Sequence, residues 1–209
     1  MSLLPNISAF LEKAAAAHFP AGDRKAHLDD EIARIREAMR HEPKPSFVFV
    51  CTHNSRRSHF ARVWAEVVQY QLTEGSLPYR MESAGTEVTA CNPRTVASLS
   101  RCGFDIAEPG DGENPRYRCR YADVDTVPPM QLWSKTLDDP AITQPLIAVM
   151  TCSDADQNCP IVPGALVRAR VTYDDPKTSD DSPAEAQTYD TRSAQIAGEM
   201  HYIFSRLHR

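Results

Sequence analysis

Residues 47 to 64, FVFVCTHNSRRSHFARVW, carry the clearest structural pattern of the chain. The first four of these residues are aromatic or β-branched, a pattern typical of a strand buried on both faces of a parallel sheet. The polar residues after Cys51 predict a short loop, and Ser58 is a suitable N-cap for a helix whose apolar residues face a core. The stretch therefore predicts a strand, a loop and a helix, with Cys51 at the end of the strand.

Cys51 and Arg57 enclose this loop, and their chemistry suits an anion. The free N–H groups and partial positive charge of a helix N-terminus attract anions, and a cysteine there or beside arginine loses its proton readily to become a nucleophile. The Arg57 guanidinium can hold two oxygens of a tetrahedral oxyanion, while the N–H groups of the loop point inward as a nest. We expect the oxyanion to be surrounded by Thr52, His53, Asn54, Ser55, Arg56, Arg57 and Ser58.

Length, composition and charge limit the class of protein. The chain has 209 residues, of which 42% are hydrophobic, and a formal net charge of −5. This length suits one domain with an appendage, and the negative charge argues against a general nucleic-acid surface. No apolar run is long enough to cross a membrane, and the N-terminal residues lack the pattern of a secretory signal. We therefore expect a cytoplasmic protein whose partners are small molecules or proteins.

The cysteines are numerous but do not form a metal-binding pattern. They lie at positions 51, 91, 102, 119, 152 and 159. Thiols in the cytoplasm stay reduced unless they take part in catalysis. Their spacing, and the position of the histidines near the loop, fit no zinc-ligand pattern, so we expect no metal and no other cofactor. Cys152 and Cys159 are the one close pair, and we interpret Cys91, Cys102 and Cys119 as structural.

Alternating strand and helix patterns predict an α/β fold. Further strand patterns occur at residues 80 to 86, 146 to 151 and 167 to 173. Helix starts are indicated at Asn92-Pro93 and at Ser182-Pro183. Because strand–helix–strand crossovers are right-handed, this order predicts a doubly wound, flavodoxin-like sheet of four parallel strands.

Two segments lie outside this pattern. Residues 1 to 45 predict two amphipathic helices, which we interpret as an N-terminal helical extension packed on the domain of residues 46 to 209. A dimer contact or a docking arm is the alternative for this extension. Residues 108 to 145 are irregular and rich in proline and glycine, so they predict a lid or an insertion, or a small hairpin of their own. The alternation of residues 117 to 121 allows a strand.

Cys51, Cys152 and Asp175 each follow a predicted strand. In a doubly wound sheet, ligands bind at the carboxyl ends of the strands. We therefore expect a nucleophile, a second thiol and a carboxyl group at one edge of the sheet.

The strand, the Cys-x5-Arg-Ser loop and the helix resemble the phosphate-binding loop of the low-molecular-weight protein tyrosine phosphatase superfamily, which includes the thioredoxin-coupled arsenate reductases. SAGT at 83 to 86, followed by NPRTVASLSRCGFDI at 92 to 106, is similar to the second strand and helix of that superfamily. The resemblance implies that Asp175, before Pro176, is the loop aspartate that acts as a general acid and later as a base. Asp174 is the competing candidate, and an ordinary Asp-Asp-Pro turn is the other interpretation.

The segment TCSDADQNCPIVPG, residues 151 to 164, resembles the redox segment of thioredoxin-coupled arsenate reductases. The resemblance implies that Cys51 attacks arsenate and that Cys152 attacks the Cys51 adduct and releases arsenite. Cys159 then forms a disulfide with Cys152, which thioredoxin or a similar dithiol protein reduces. Because disulfide Cα atoms must lie within about 7 Å of each other, the segment between the two cysteines must rearrange.

Arsenate reductase is the first interpretation of this sequence. The alternative is a low-molecular-weight phosphatase that hydrolyses phosphate monoesters through a Cys51 phosphocysteine, a reaction that needs no second thiol. An oxyanion-binding regulatory protein is a third hypothesis. The substrate is accordingly arsenate or a phosphate-type oxyanion, and neither nucleic acid nor membrane is expected as a partner.

Three residues depart from the family pattern. His53 replaces the usual glycine of the loop, and Arg56 replaces a second loop cysteine. Arg62 replaces a helix carboxylate that helps to bind potassium in some arsenate reductases. We expect Arg56 to add positive charge at the pocket mouth and the Arg62 guanidinium to take the place of the cation.

Overall fold

The computed structural model describes residues 2–42, 44–107, 109–123, 127–158 and 161–208, so Cys159 lies outside the described residues. The helices are α1 Pro5–Ala17, α2 Gly22–His41, α3 Arg57–Leu72, α4 Pro93–Arg101, α5 Ser153–Asn158 and α6 Glu185–Leu207. The strands are β1 Ser46–Cys51, β2 Met81–Gly85, β3 Asp105–Ala107, β4 Tyr117–Arg120, β5 Met130–Leu132, β6 Leu146–Met150 and β7 Ala165–Arg170. A 3₁₀ helix, Pro176–Ser179, lies between β7 and α6.

The predicted doubly wound parallel sheet is confirmed. Its strand order is β2-β1-β6-β7, and all neighbours are parallel. Successive side chains of β1 point to opposite faces. Phe47 and Phe49 therefore join the larger core with α1, α3 and α6, whereas Val48 and Val50 join a smaller core that includes Ala155 of α5. Burial on both faces explains the unbroken apolar run of this strand.

The N-terminal residues form the two predicted helices, and both pack on the sheet domain. Ile7, Leu11 and Ala14 of α1 are buried, and this helix contacts α6. The Phe10 ring stacks on Trp64 with the ring centroids 5.2 Å apart. Helix α2 contacts β7 and α6. Both helices thus share the larger hydrophobic core.

In the irregular region after α4, two segments pair as antiparallel strands, which matches the hairpin alternative. The alternation of residues 117 to 121 does form a strand, β4, which pairs antiparallel with β3 and β5. The resulting three-stranded sheet is separate from the parallel sheet.

Among the residues that the structure describes, no helix is both long and apolar enough to cross a membrane.

Candidate active site

The loop after Cys51 lies at the carboxyl end of the parallel sheet and is held mainly through its backbone. The Thr52 carbonyl accepts hydrogen bonds from the N–H groups of Thr86 (2.8 Å) and Glu87 (3.1 Å). On the other side, the Ser55 carbonyl accepts from the Asn92 N–H at 3.0 Å. Asn54 has a positive φ of 45°, which asparagine adopts more easily than most residues. The end of β2 and the start of α4 therefore define the shape of the loop.

Cys51 is buried at the end of β1, and its Sγ lies 3.1 Å from Ser58 Oγ. Ser58 Oγ accepts a hydrogen bond from Asn54 Nδ2 at 2.8 Å, which leaves its own hydrogen free to point at the sulfur. The Ser58 hydroxyl can therefore act as a hydrogen-bond donor to Cys51 Sγ. The predicted N-cap role of Ser58 was wrong, because α3 already begins at Arg57 and no side chain caps it.

Arg57 and Asp175 come together at this edge, as the predicted topology allows. Arg57 Nη2 donates to Asp175 Oδ2 at 2.7 Å, and Nη1 donates to the Tyr173 carbonyl at 3.1 Å. The buried Arg57 Nε has no hydrogen-bond partner among the described residues. Because a buried donor without a partner is costly, this N–H is well suited to an oxyanion in the loop.

The two neighbouring aspartates point in different directions. The Asp174 carboxylate is 95% exposed and pairs with Arg192 at 3.2 Å. The Asp175 side chain instead accepts from the Lys177 N–H at 3.1 Å and so caps the 3₁₀ helix. This geometry favours Asp175 as the carboxyl group that faces the loop. Its cap contact also accounts for the turn signal in the sequence.

Cys152 follows β6 and lies beside the loop. Strands β1 and β6 are parallel neighbours, with Val50 opposite Met150. Cys51 and Cys152 therefore lie at the same edge of the sheet, where the two strands end. Cys152 is fully buried, and its Sγ lies 3.6 Å from Thr52 Oγ1 and accepts from the Ala155 N–H at 3.3 Å. The second thiol therefore approaches the residue directly after Cys51.

Two unusual loop residues are accommodated in different ways. His53 points outward, with its ring half exposed and Nε2 2.9 Å from Glu87 Oε1, so its bulk does not enter the loop. Arg56 is mostly buried, and it donates to Tyr189 Oη at 2.7 Å and to Asp180 Oδ2 at 3.2 Å. The expectation that Arg56 adds positive charge at the pocket mouth was wrong, because the Asp180 carboxylate compensates this charge.

A buried charged cluster beside the loop was largely missed by sequence reasoning. The Lys135 N–H donates to Asn54 Oδ1 at 2.9 Å, and Lys135 Nζ lies 3.1 Å from Glu82 Oε2. Arg62 Nη2 lies 3.6 Å from the same oxygen. Burial lowers the pKa of Lys135 to about 8. A single lysine in an irregular segment has no sequence signal that could have identified this role.

The cluster also contributes to the protonation state of His59, which is fully buried. Its Nδ1 lies 3.3 Å from Ser83 Oγ. Burial first, and then the nearby charges of Lys135 and Arg62, lower the pKa of His59 well below 6.5. His59 is therefore neutral in the folded protein near neutral pH.

Among the described residues, no group of His, Cys, Asp and Glu is arranged to hold a metal ion.

We expect His59 to make the protein less stable in mild acid. Below about pH 6.5, the unfolded chain binds a proton at this imidazole that the folded chain does not bind, so the free energy of unfolding falls as pH falls, by up to about 1.4 kcal/mol per pH unit. Urea unfolding of the wild type and of His59→Gln, between about pH 7.5 and about pH 5.5, measures this contribution. The His59→Gln variant should lose it, whereas a control change at the exposed His41 should retain it. Equal pH dependence in the wild type and His59→Gln would contradict the prediction.

A methyl group at Gly85 should distort the loop. A Cβ there would lie 2.7 Å from the Thr52 carbonyl oxygen and 2.8 Å from the Asn54 nitrogen, both backbone atoms. Since misplacing catalytic groups by about 1 Å can cost about 10²-fold in rate, Gly85→Ala should lower kcat/KM for the oxyanion substrate by about that factor. Gly110→Ala is the control, because none of the described atoms lies within 4 Å of its added Cβ. Wild-type kcat/KM in Gly85→Ala would disprove this account of the loop.

The chain resembles proteins of known activity in sequence. No family model matches it. The arsenate reductase of Staphylococcus aureus strain N315 is 29% identical over 133 residues, which cover 64% of this chain and 79% of that protein. The arsenate reductase 2 of Staphylococcus epidermidis is 26% identical over the same share of each chain.

Solved structures share the fold. A YwlE mutant from Bacillus subtilis aligns with a TM-score of 0.51 and 13% identity, and the match covers 79% of this chain and 100% of that one. The low molecular weight phosphotyrosine phosphatase of Vibrio cholerae O395 aligns with a TM-score of 0.50 and 15% identity over 78% and 95% of the two chains. The chain is therefore similar in sequence to arsenate reductases, and it has the fold of a low molecular weight phosphotyrosine phosphatase.

Proposed function

We propose that the protein is an arsenate reductase in which Cys51, Cys152 and Cys159 act in turn. The observation that carries this proposal is the buried Cys152 thiol, whose Sγ lies 3.6 Å from Oγ1 of the residue next to Cys51. Hydrolysis of a phosphate ester needs no second thiol, whereas arsenate reduction needs two electrons. The arsenate reductases among the sequence relatives support the same reaction.

The first step uses the loop and the Arg57–Asp175 pair. Arsenate binds to the loop N–H groups and to Arg57, and the Cys51 thiolate attacks arsenic. An As–S bond forms, and one arsenate oxygen leaves as water after it has been protonated. Asp175, held at 2.7 Å from Arg57 Nη2, is the acid that donates this proton in our proposal.

The next two steps move electrons and exchange thiols. The Cys152 thiolate attacks the Cys51 sulfur, a disulfide forms between them, and the electron pair of the As–S bond stays on arsenic, which leaves as arsenite. The Cys159 thiolate then attacks the Cys152 sulfur and releases the Cys51 thiolate. The Cys152–Cys159 disulfide is reduced by thioredoxin or a similar dithiol protein. We place this cycle in the cytoplasm, where thiols are kept reduced.

The relay requires the buried Cys152 to move toward Cys159. The short helix α5, which follows Cys152 directly, would have to open for this movement. Helix α5 has six residues, and helices this short gain little stability from their own hydrogen bonds. Asp156 anchors α5 to β7 through Arg168 at 2.9 Å and Arg170 at 3.3 Å. Opening of α5 would need to break these contacts.

The test is arsenate-dependent NADPH oxidation by the protein together with thioredoxin and thioredoxin reductase, with hydrolysis of p-nitrophenyl phosphate measured in parallel. Cys152→Ser and Cys159→Ser should each lose arsenate turnover but retain ester hydrolysis. Cys102→Ser is the matched control, since Cys102 is buried and its Sγ lies 3.5 Å from Ser193 Oγ, away from the loop. Arsenate turnover that survives in Cys152→Ser would contradict the relay.

The second candidate function is hydrolysis of phosphate monoesters through a Cys51 phosphocysteine. The close Arg57–Asp175 pair favours it, because an acid beside the anion loop suits protonation of a leaving alcohol. Ester hydrolysis that depends on Cys51, without arsenate turnover in the wild type, would establish this activity instead.

A further inference from the structure

Helix α2 reaches the edge of the candidate active site through one arginine. Arg24 forms a two-pronged ion pair with Glu199 of α6, with Nε to Oε1 at 3.0 Å and Nη2 to Oε2 at 2.5 Å. Glu199 is 3% exposed and also accepts a hydrogen bond from Gln195 Nε2 at 3.5 Å. Arg24 supplies the positive charge that pairs with this buried carboxylate, and an unpaired buried carboxylate is costly. Arg24 Nη2 also donates to the Thr172 carbonyl at 3.3 Å. The helix is thereby attached to the chain just beyond β7.

Tyr173, the residue after Thr172, contacts both Arg24 and Arg57. The Arg24 guanidinium lies over the Tyr173 ring, 5.3 Å from its centroid. The Tyr173 carbonyl accepts from Arg57 Nη1 at 3.1 Å, and Asp175 follows two residues later. Arg24 of α2 therefore holds the Thr172 carbonyl, and Arg57 of the candidate site holds the carbonyl of the next residue, Tyr173.

The Thr172–Tyr173 backbone lies past the end of strand β7 and is held by a small number of hydrogen bonds. Strand β7 ends at Arg170, and the Tyr173 N–H is bonded to the Thr151 carbonyl at 3.1 Å. The carbonyl groups of Thr172 and Tyr173 are instead held by the two arginines. Removing Arg24 would release one of these contacts and leave Arg57 attached to a less restrained segment.

From this chain of contacts we propose that Arg24 is a positioning residue for the oxyanion site. It holds the Thr172–Tyr173 backbone so that the Arg57 guanidinium and the Asp175 carboxyl group are aligned on the bound oxyanion. The proposal rests on the proposed function only in that Cys51, Arg57 and Asp175 act on an oxyanion. It assigns the N-terminal residues a role in the site in addition to their role in the core.

The experiment compares Arg24→Ala and Arg24→Lys with Lys25→Ala. Lys25 is the matched control, because it lies on the same helix in an exposed pair with Asp29 at 2.6 Å. The first measurement is protection of Cys51 from iodoacetamide by inorganic phosphate, which gives the anion affinity. The second is the ratio of hydrolysis rates for phenyl phosphate and p-nitrophenyl phosphate. Phenolate is the poorer leaving group, so its ester depends more on the general acid.

Arg24→Ala should weaken phosphate binding about tenfold and lower the rate for phenyl phosphate more than the rate for p-nitrophenyl phosphate. Arg24→Lys, which keeps the charge but cannot bridge Glu199 and Thr172 in the same way, should fall between Arg24→Ala and the wild type. Lys25→Ala should match the wild type. A loss of folded protein alone would lower both rates equally and leave the phosphate affinity unchanged, and that result would overturn the proposal.

Two other variants test the same role if Arg24→Ala is unstable. If Arg24→Ala does not fold, Glu199→Gln and Arg24→Lys provide the same measurements, since Glu199→Gln removes the ion pair but can retain a hydrogen bond to Arg24. Wild-type affinity and leaving-group ratio in these folded variants would overturn the proposal while arsenate reduction still stands. If the wild type reduces no arsenate, the proposed function fails, but phosphate protection of Cys51 still tests Arg24.

Discussion

Replacing Cys51 with serine is expected to lower arsenate turnover by about 10⁴-fold or more, because removal of a catalytic nucleophile has effects of that size or larger. A serine hydroxyl stays protonated near neutral pH unless a base is next to it. Among the described residues, the Ser58 hydroxyl lies within hydrogen-bond distance of Cys51 Sγ, at 3.1 Å, and a hydroxyl is not a base. Steady-state NADPH oxidation and ester hydrolysis both measure the loss, and both activities should disappear together.

Cys91→Ser provides the control for the Cys51 prediction. Burial raises the pKa of Cys91 to about 12, so this residue remains a thiol near neutral pH and is a poor nucleophile. Its replacement should therefore change turnover less than tenfold. Arsenate turnover within tenfold of the wild type in Cys51→Ser would mean that another residue attacks the oxyanion.

Arg57→Lys should lower kcat/KM by about 10³-fold, the loss expected when a main donor to a developing oxyanion is removed. Lysine keeps the positive charge but has no planar fork of donors. It cannot contact the Tyr173 carbonyl and Asp175 Oδ2 as Arg57 does, at 3.1 Å and 2.7 Å, and still direct an N–H toward the loop. The measurement is kcat/KM for arsenate, together with the phosphate concentration that protects Cys51 from alkylation.

The control for Arg57→Lys is Arg101→Lys. Arg101 forms an exposed pair with Asp190 at 2.7 Å, and exposed pairs contribute little to stability. This control should behave like the wild type. If Arg57→Lys keeps both wild-type kcat/KM and wild-type phosphate protection, then the positive charge alone is sufficient and the geometry of the guanidinium is not required.

Residues close together in sequence could be predicted well. The apolar run before Cys51 was sufficient to predict a buried parallel strand, because β1 is covered on both faces. The five-residue spacing between Cys51 and Arg57 predicted the loop, since backbone dihedral angles and the start of a helix are local properties. The helical periodicity of residues 1 to 45 likewise predicted α1 and α2.

Contacts between distant parts of the chain could not be predicted in this way. Asp174 and Asp175 are equivalent in the sequence, and only the fold directs one toward Arg57 and the other toward Arg192. Lys135 meets Asn54 across 81 positions of sequence. Ser58 was predicted as an N-cap because its neighbours indicate a helix start, but the position of Asn54 and Cys51 draws its hydroxyl into the loop.

Residues that are near neighbours in the chain were sufficient to predict the buried strand and the loop between Cys51 and Arg57, and they make Cys51 the predicted nucleophile. The packing of distant segments directs the Asp175 carboxylate toward the loop, places buried charges beside the loop and brings Arg24 to Glu199 across 175 positions. The physical reason is that periodicity and turn preferences act over a few residues. The partners of a buried polar group depend instead on how the whole chain packs, since each such group must find a hydrogen bond inside the fold.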